Sequence, residues 1–110
     1  MFTKINDSLY DNLIIQYENS VSVTAYNRSV HWVKTHLQRL CSEFSWLQIG
    51  GLVKHNIDGT IRVSKVLKFY VNEHSVLVDV GFGNVWYYEC IEPTKNEIEN
   101  FDGHCLVIEN

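Results

Sequence analysis

The chain holds one proline in 110 residues and only six glycines. Proline removes a backbone donor and breaks helices and central strands, so its scarcity leaves room for long regular elements and short loops. Cysteine is sparse and odd in number: Cys41, Cys90 and Cys105 stand far apart, with no C-x-x-C pair. That spacing argues against a disulfide framework or a zinc site and leaves reduced thiols acting as small buried hydrophobes. The histidines at 31, 36, 55, 74 and 104 show no H-x-x-x-H spacing. His31 and His36 would point about 140° apart on a helix, and His104 and Cys105 would face opposite sides of a strand. Gly81-Phe82-Gly83 lacks the third glycine and the following helix of a nucleotide fingerprint. No metal and no cofactor is expected. No apolar run approaches the roughly 20 residues that span a bilayer, and the first thirty residues lack an export signal. A cytoplasmic protein without membrane association is expected. Two N-x-S sequons, at Asn6 and Asn27, then carry no consequence.

Apolar and aromatic residues are plentiful. Hydrophobic residues make up 45%, charged residues 20% and aromatics 13%, a globular rather than a disordered balance. At 12.8 kDa there is chain enough for one core and not for two, so residues 1–110 should form a single domain. The net charge of −4 conceals an asymmetry. Residues 1–72 carry eight Lys/Arg against five Asp/Glu, and residues 73–110 carry one against eight. Either the acidic tail packs near the basic middle, or two opposed patches steer a charged partner.

Ser8 and Asp11 have the S-x-x-D spacing of reciprocal helix capping. Leu9, Leu13, Ile14 and Tyr17 follow at helical spacing and predict a helix over about 8–18, although LIIQY is also compatible with a strand. Ser20–Tyr26 alternates with period two and predicts a strand. The clearest helix covers 28–44, capped by Asn27 or Ser29, with Val30, Val33, Leu37, Leu40, Cys41 and Phe44 on one stripe. Trp32 lies well off that stripe, grouped with His36, Arg39 and Glu43. A tryptophan on a polar face is covered by another segment, rests on an arginine stem, or anchors a protein interface.

Asp58-Gly59 is a hairpin turn signal between Leu47–His55 and Thr60–Val71, with a bulge or bend at Gly50-Gly51. Ile61–Ile91 then reads as an antiparallel meander. Ile61, Val63, Leu67, Phe69 and Val71 face the core, and the alternation fails at Lys65-Val66. Ser75–Val80 and Val85–Ile91 are its next strands, the last with aromatics on both faces. One of those faces needs a cover, either the C-terminal helix or a second copy of the chain. A short helix over about 94–101 should turn Ile98 and Phe101 inward and end at Gly103. His104–Glu109 closes as a strand, facing inward with Cys105 and Val107 or with Leu106 and Ile108. The fold expected is α+β: one antiparallel sheet of five or six strands with the long helix across one face.

Val76–Asn84, VLVDVGFGN, resembles the VDVGFG segment of arylamine N-acetyltransferases, where that aspartate completes a Cys-His-Asp triad. The resemblance covers nine residues and implies a triad role for Asp79 alone. The position corresponding to the family's histidine is Ser64, and the family's cysteine motif is absent around Cys41. Cys41, His74 and Asp79 can be written as a triad on general grounds. However, Cys41 lies on an apolar helix stripe and His74 in a polar turn, so an acyl-transfer enzyme is the least favoured reading. Asp79 would instead lie on a wet sheet face or cap the amides of Gly81 to Gly83.

Lys54, Arg62, Lys68 and Tyr70 could share a wet hairpin face and serve as a stacking platform for single-stranded nucleic acid. The pI of about 5.6 runs against that alternative. The favoured expectation is a small acidic protein-binding module of the inhibitor, immunity or adaptor kind, with no catalysis of its own. Trp32, His36, Arg39 and Glu43 with Trp86, Tyr87 and Tyr88 are its interface candidates, and a homodimer is one form such binding could take.

Overall fold

The computed structural model describes residues 7–108. Asn6 of the first sequon and Glu109 of the last expected strand lie outside them. The chain is α+β, as its patterning predicts. In order it forms α1 (Asp7–Ser20), α2 (Val23–Glu43), β1 (Leu52–Ile57), β2 (Thr60–Lys65), β3 (Lys68–Val71) and β4 (Val76–Asp79). There follow β5 (Asn84–Trp86), a 3-10 turn (Tyr87–Glu89), α3 (Lys95–Glu99) and β6 (Leu106–Ile108). Two three-stranded antiparallel sheets replace the single meander: β1-β2-β6 and β3-β4-β5.

α1 buries Leu13 and Tyr17 at i, i+4 spacing, with Leu9, Tyr10 and Ile14 partly covered. The strand expected over Ser20–Tyr26 is not there. The Ser22 side chain instead accepts a hydrogen bond from the Ala25 amide at 3.1 Å and starts α2 early. Ala25 and Ser29 are buried and extend the stripe of Val33, Leu37, Leu40 and Cys41 backwards. The Tyr17 hydroxyl reaches Ser29 Oγ, and the Tyr17 and Tyr26 rings meet at 5.5 Å. Packing of these residues at helical spacing overrides the β-branched preference of SVSVTAY.

The expected strand Ile61–Val71 breaks where its alternation fails. Val66 is 1% exposed and its amide bonds to the Gly51 carbonyl, while the Gly50 amide bonds back to Val66. Leu67, expected in the core, is 52% exposed, and its amide starts the second sheet on the Asp79 carbonyl. Gly50 has φ +83°, a conformation that suits glycine in the bend before β1. At Asp58-Gly59 both residues take positive φ, as the hairpin turn requires.

Val85–Ile91 is likewise not one strand. It leaves the second sheet after Trp86, makes the 3-10 turn, and pairs Ile91 with Lys54 at the edge of β1. Thr94 and Glu97 form a capping box at the start of α3. Ile98 does not turn inward; it is 48% exposed, since α3 buries none of its residues. Phe101 is half-buried. In β6, Leu106 and Ile108 are partly covered while Val107 faces solvent. The main core joins Leu13, Tyr17, Val33, Leu37 and Leu40 of the helices to Phe69, Val71, Val76, Val78 and Val85 of the second sheet. Among the described residues no helix is long and apolar enough to cross a membrane.

Candidate protein-binding surface

The helices cover the face of the second sheet that carries Phe69, Val71, Val76, Val78 and Val85. Strand alternation puts Lys68, Tyr70, Leu77, Asp79, Asn84 and Trp86 on the opposite face. The register sets Tyr70 opposite Leu77 and Leu77 opposite Trp86, so these three side chains form a cross-strand row.

That row continues through aromatic contacts. The Trp86 and Tyr88 rings stack at 5.5 Å with 27° between their planes. Tyr88 meets Tyr87 edge-on at 5.4 Å, and Tyr87 meets His36 of α2 at 5.6 Å. His36 Nδ1 lies 2.5 Å from the Tyr87 hydroxyl, and Trp32 lies over the His36 ring at 4.3 Å. Arg39 sits above the Tyr87 and Phe44 rings at 5.9 and 5.8 Å while its Nε donates to Glu43 at 2.7 Å. All seven interface candidates thus fall in one contiguous strip. Tyr87 is its buried keel, with no exposed surface, and Tyr88 its outermost ring at 45% exposure. The 3-10 turn makes this sorting possible, because it sends Tyr87 inward and returns Tyr88 beside Trp86.

Burial and the neighbouring Arg39 cation lower the pKa of His36, and burial raises that of Tyr87. Both groups are therefore neutral near pH 7, which leaves the strip apolar in character and polar only at its Arg39–Glu43 rim. A shallow cleft of about 390 Å³ opens beside Trp32, walled by Arg28, Ser29, Glu73 and His74. The Arg28–Glu73 ion pair at 2.9 Å ties α2 to the β3–β4 turn there.

The basic candidates do not come together. Lys54 stands opposite Val63 and Arg62 opposite His55, which puts the two cations on opposite faces of the first sheet. Lys54 Nζ is held by Glu97 Oε2 at 2.9 Å, and Arg62 lies over the Phe82 ring at 4.7 Å. Lys68 and Tyr70 belong to the second sheet, with the ammonium 5.3 Å from the ring centroid.

Cys41 is 1% exposed and Cys90, also buried, has its pKa pushed up to about 12 by desolvation. His74 is exposed in its turn, and Asp79 Oδ1 accepts from the Gly81 amide at 2.9 Å. Asp79 is thus a local turn cap. Among the described residues no cluster of three or more His, Cys, Asp or Glu could hold a metal. Sequence reasoning missed a buried pair: His55 Nε2 lies 2.8 Å from Ser64 Oγ, and His55 Nδ1 has no partner. The position of His55 between Val53 and Ile57 on one strand face was its only signal. Leu77 was missed as well, hidden in a run where every neighbour is apolar.

No family model matches the chain, and no curated protein or solved structure is significantly similar to it.

Proposed function

We propose that this chain is a small cytoplasmic protein-binding module of the inhibitor, immunity or adaptor kind. It presents Trp32, His36, Trp86 and Tyr88, joined beneath by the buried Tyr87, to another protein and performs no catalysis of its own. The observation that carries this reading is the contiguity of the strip: rings from a helix and from a sheet, 51 residues apart at the His36–Tyr87 joint, merge into one surface. Large rings with few rotatable bonds lose little entropy on binding, which is why Trp, Tyr and Arg dominate interface energetics. Rigid secondary structure beneath them lowers the ordering cost further. No disulfide joins Cys41, Cys90 and Cys105, in keeping with a reducing compartment.

The test is affinity capture from native extract with the wild-type chain and a Tyr88→Glu variant in parallel. Support requires a protein retained by the wild type, lost by the variant, and reconstituted with purified wild type as a complex. Self-association lost with the same variant would make the partner a second copy. If both forms retain the same proteins, or nucleic acid alone is retained in a salt-sensitive way, the strip is ordinary surface.

A further inference from the structure

The outer rings of the strip form two pairs, Trp32 with His36 and Trp86 with Tyr88, on either side of the buried Tyr87. Their free polar atoms are nearly all of one kind. An indole nitrogen can only donate. Neither the Trp32 nor the Trp86 indole makes a hydrogen bond among the described residues. Both nitrogens also reach solvent, since the buried unpartnered side-chain atom there is His55 Nδ1 alone. The hydroxyl of the exposed Tyr88 has no partner among those residues either.

Donors set among ring faces call for a ligand rich in carbonyl oxygens and poor in amides. A helix uses its carbonyls internally, and an extended strand brings as many N–H groups as carbonyls. A polyproline II segment makes no internal hydrogen bonds, and its prolines carry no N–H. Its rings dock on aromatic surfaces, and its conformation is already fixed before binding. The spacing suits it too. His36 and Tyr88 lie 5.6 and 5.4 Å from the Tyr87 ring, so the two pairs stand at most about 11 Å apart, within reach of the roughly 9 Å of one polyproline II turn. Charge sets the flank. Arg39 and Arg28 are bonded to Glu43 and Glu73, and Lys68 stands opposite Asp79 across the ladder. Glu89, exposed next to Tyr88, has no cation within ion-pair distance among the described residues.

We propose that the strip receives a proline-rich segment in the polyproline II conformation, with a basic residue at the end that lies over Tyr88. Prolines three apart seat on the two ring pairs, their carbonyls accept from the Trp32 and Trp86 indoles, and the basic side chain meets Glu89. A second copy of the chain cannot supply such a segment, because its single proline is Pro93. The proposal rests on the protein-binding reading above and gives the partner its chemistry.

The probe is a synthetic peptide of three Pro-Pro-Ala repeats ending in arginine. It is titrated into the nitrogen-15 labelled chain and followed at the tryptophan indole signals. Saturable shifts at Trp32 and Trp86 are expected, and the all-D enantiomer, a helix of opposite hand, should cause none. Trp32→Phe and Trp86→Phe each keep a ring and remove one donor, so each should weaken the peptide about fivefold. Exchanging the terminal arginine for glutamate should weaken binding to the wild type and make no difference to Glu89→Gln. No saturable shift, equal binding of the enantiomer, or indifference to both phenylalanine variants would overturn the proposal. So would concentration-dependent shifts without peptide, which mark a second copy as the occupant. If the peptide fails while capture through Tyr88 succeeds, the partner has another chemistry and the protein-binding reading stands; if both fail, the surface itself is lost.

Discussion

The second sheet lays Phe69, Val71, Val76, Val78 and Val85 against Leu13, Tyr17, Val33, Leu37 and Leu40 of the two long helices. The first sheet gives that same cluster only Val53 and part of Ile57. It is fastened instead by directional contacts: the His55–Ser64 pair, the Lys54–Glu97 ion pair and the Lys54–Ile91 bridge. Apolar burial grows with area at roughly 25 cal/mol per Å², whereas each hydrogen bond nets only about 1 kcal/mol. The half that carries the aromatic strip is therefore the more firmly built one. A binding surface benefits from that arrangement, because rings held by a rigid support lose less freedom when a partner docks.

Leu37→Ala should break this contrast most severely. The side chain is fully buried in the helix-to-sheet core, so its loss should cost about 3 kcal/mol in urea unfolding. Val107→Ala, on the half-exposed outer side of β6, should cost less than about 0.5 kcal/mol. Comparable losses at the two sites would erase the distinction between the sheets.

Acid should weaken both halves in the same direction. Burial lowers the pKa of His55, with Arg62 adding to the effect, and likewise that of His36 with Arg39. The unfolded chain then binds protons that the folded chain refuses, so stability is full above 6.5 and falls as pH drops from there toward the lowered folded-state values. Urea midpoints measured across that range should decline, and His55→Gln should flatten part of the slope. A midpoint independent of pH would contradict the neutral state of both rings, His55 buried and His36 half-buried.

Two smaller effects belong to the first sheet. Thr94→Ala removes the capping box of α3 and should cost about 1 kcal/mol. α3 buries no side chain, so hydrogen exchange should accelerate around Glu97 while the helix cores of α1 and α2 stay protected. Lys54→Ala removes a partly exposed ion pair, with side chains 24% and 13% accessible, and should cost only about 0.5 kcal/mol. A cost of several kcal/mol there would show the first sheet to depend on that pair far more than its exposure implies.

Much of this was legible from periodicity. The stripe Val33, Leu37, Leu40 and Cys41 marks α2, the Asp58-Gly59 turn marks the hairpin, and Trp32, His36, Arg39 and Glu43 share one helix face by spacing alone. Errors arose where local preference and tertiary packing disagree. Ser20–Tyr26 looks like a strand until Ser22 caps a helix whose Ala25 and Ser29 pack against Tyr17. The break at Val66-Leu67 was visible as a fault in alternation but not as a change of sheet, since that depends on Gly50 and Gly51 receiving Val66. The strip itself was legible only as two separate halves. Their meeting depends on the 3-10 turn at Tyr87–Glu89, and a run of aromatics does not announce a turn.

The most direct test of the strip is a binding titration with the captured partner, using variants chosen from the two halves of the molecule. Tyr88→Ala and Trp32→Ala should each weaken binding about 10- to 30-fold, about 1.4 to 2 kcal/mol. Ile98→Ala and Val107→Ala remove apolar side chains about as exposed as Tyr88 from the other half and should leave the Kd unchanged. If the affinity instead falls with Ile98 or Val107 and survives the loss of Tyr88 and Trp32, the partner docks elsewhere and the aromatic strip is not the binding surface.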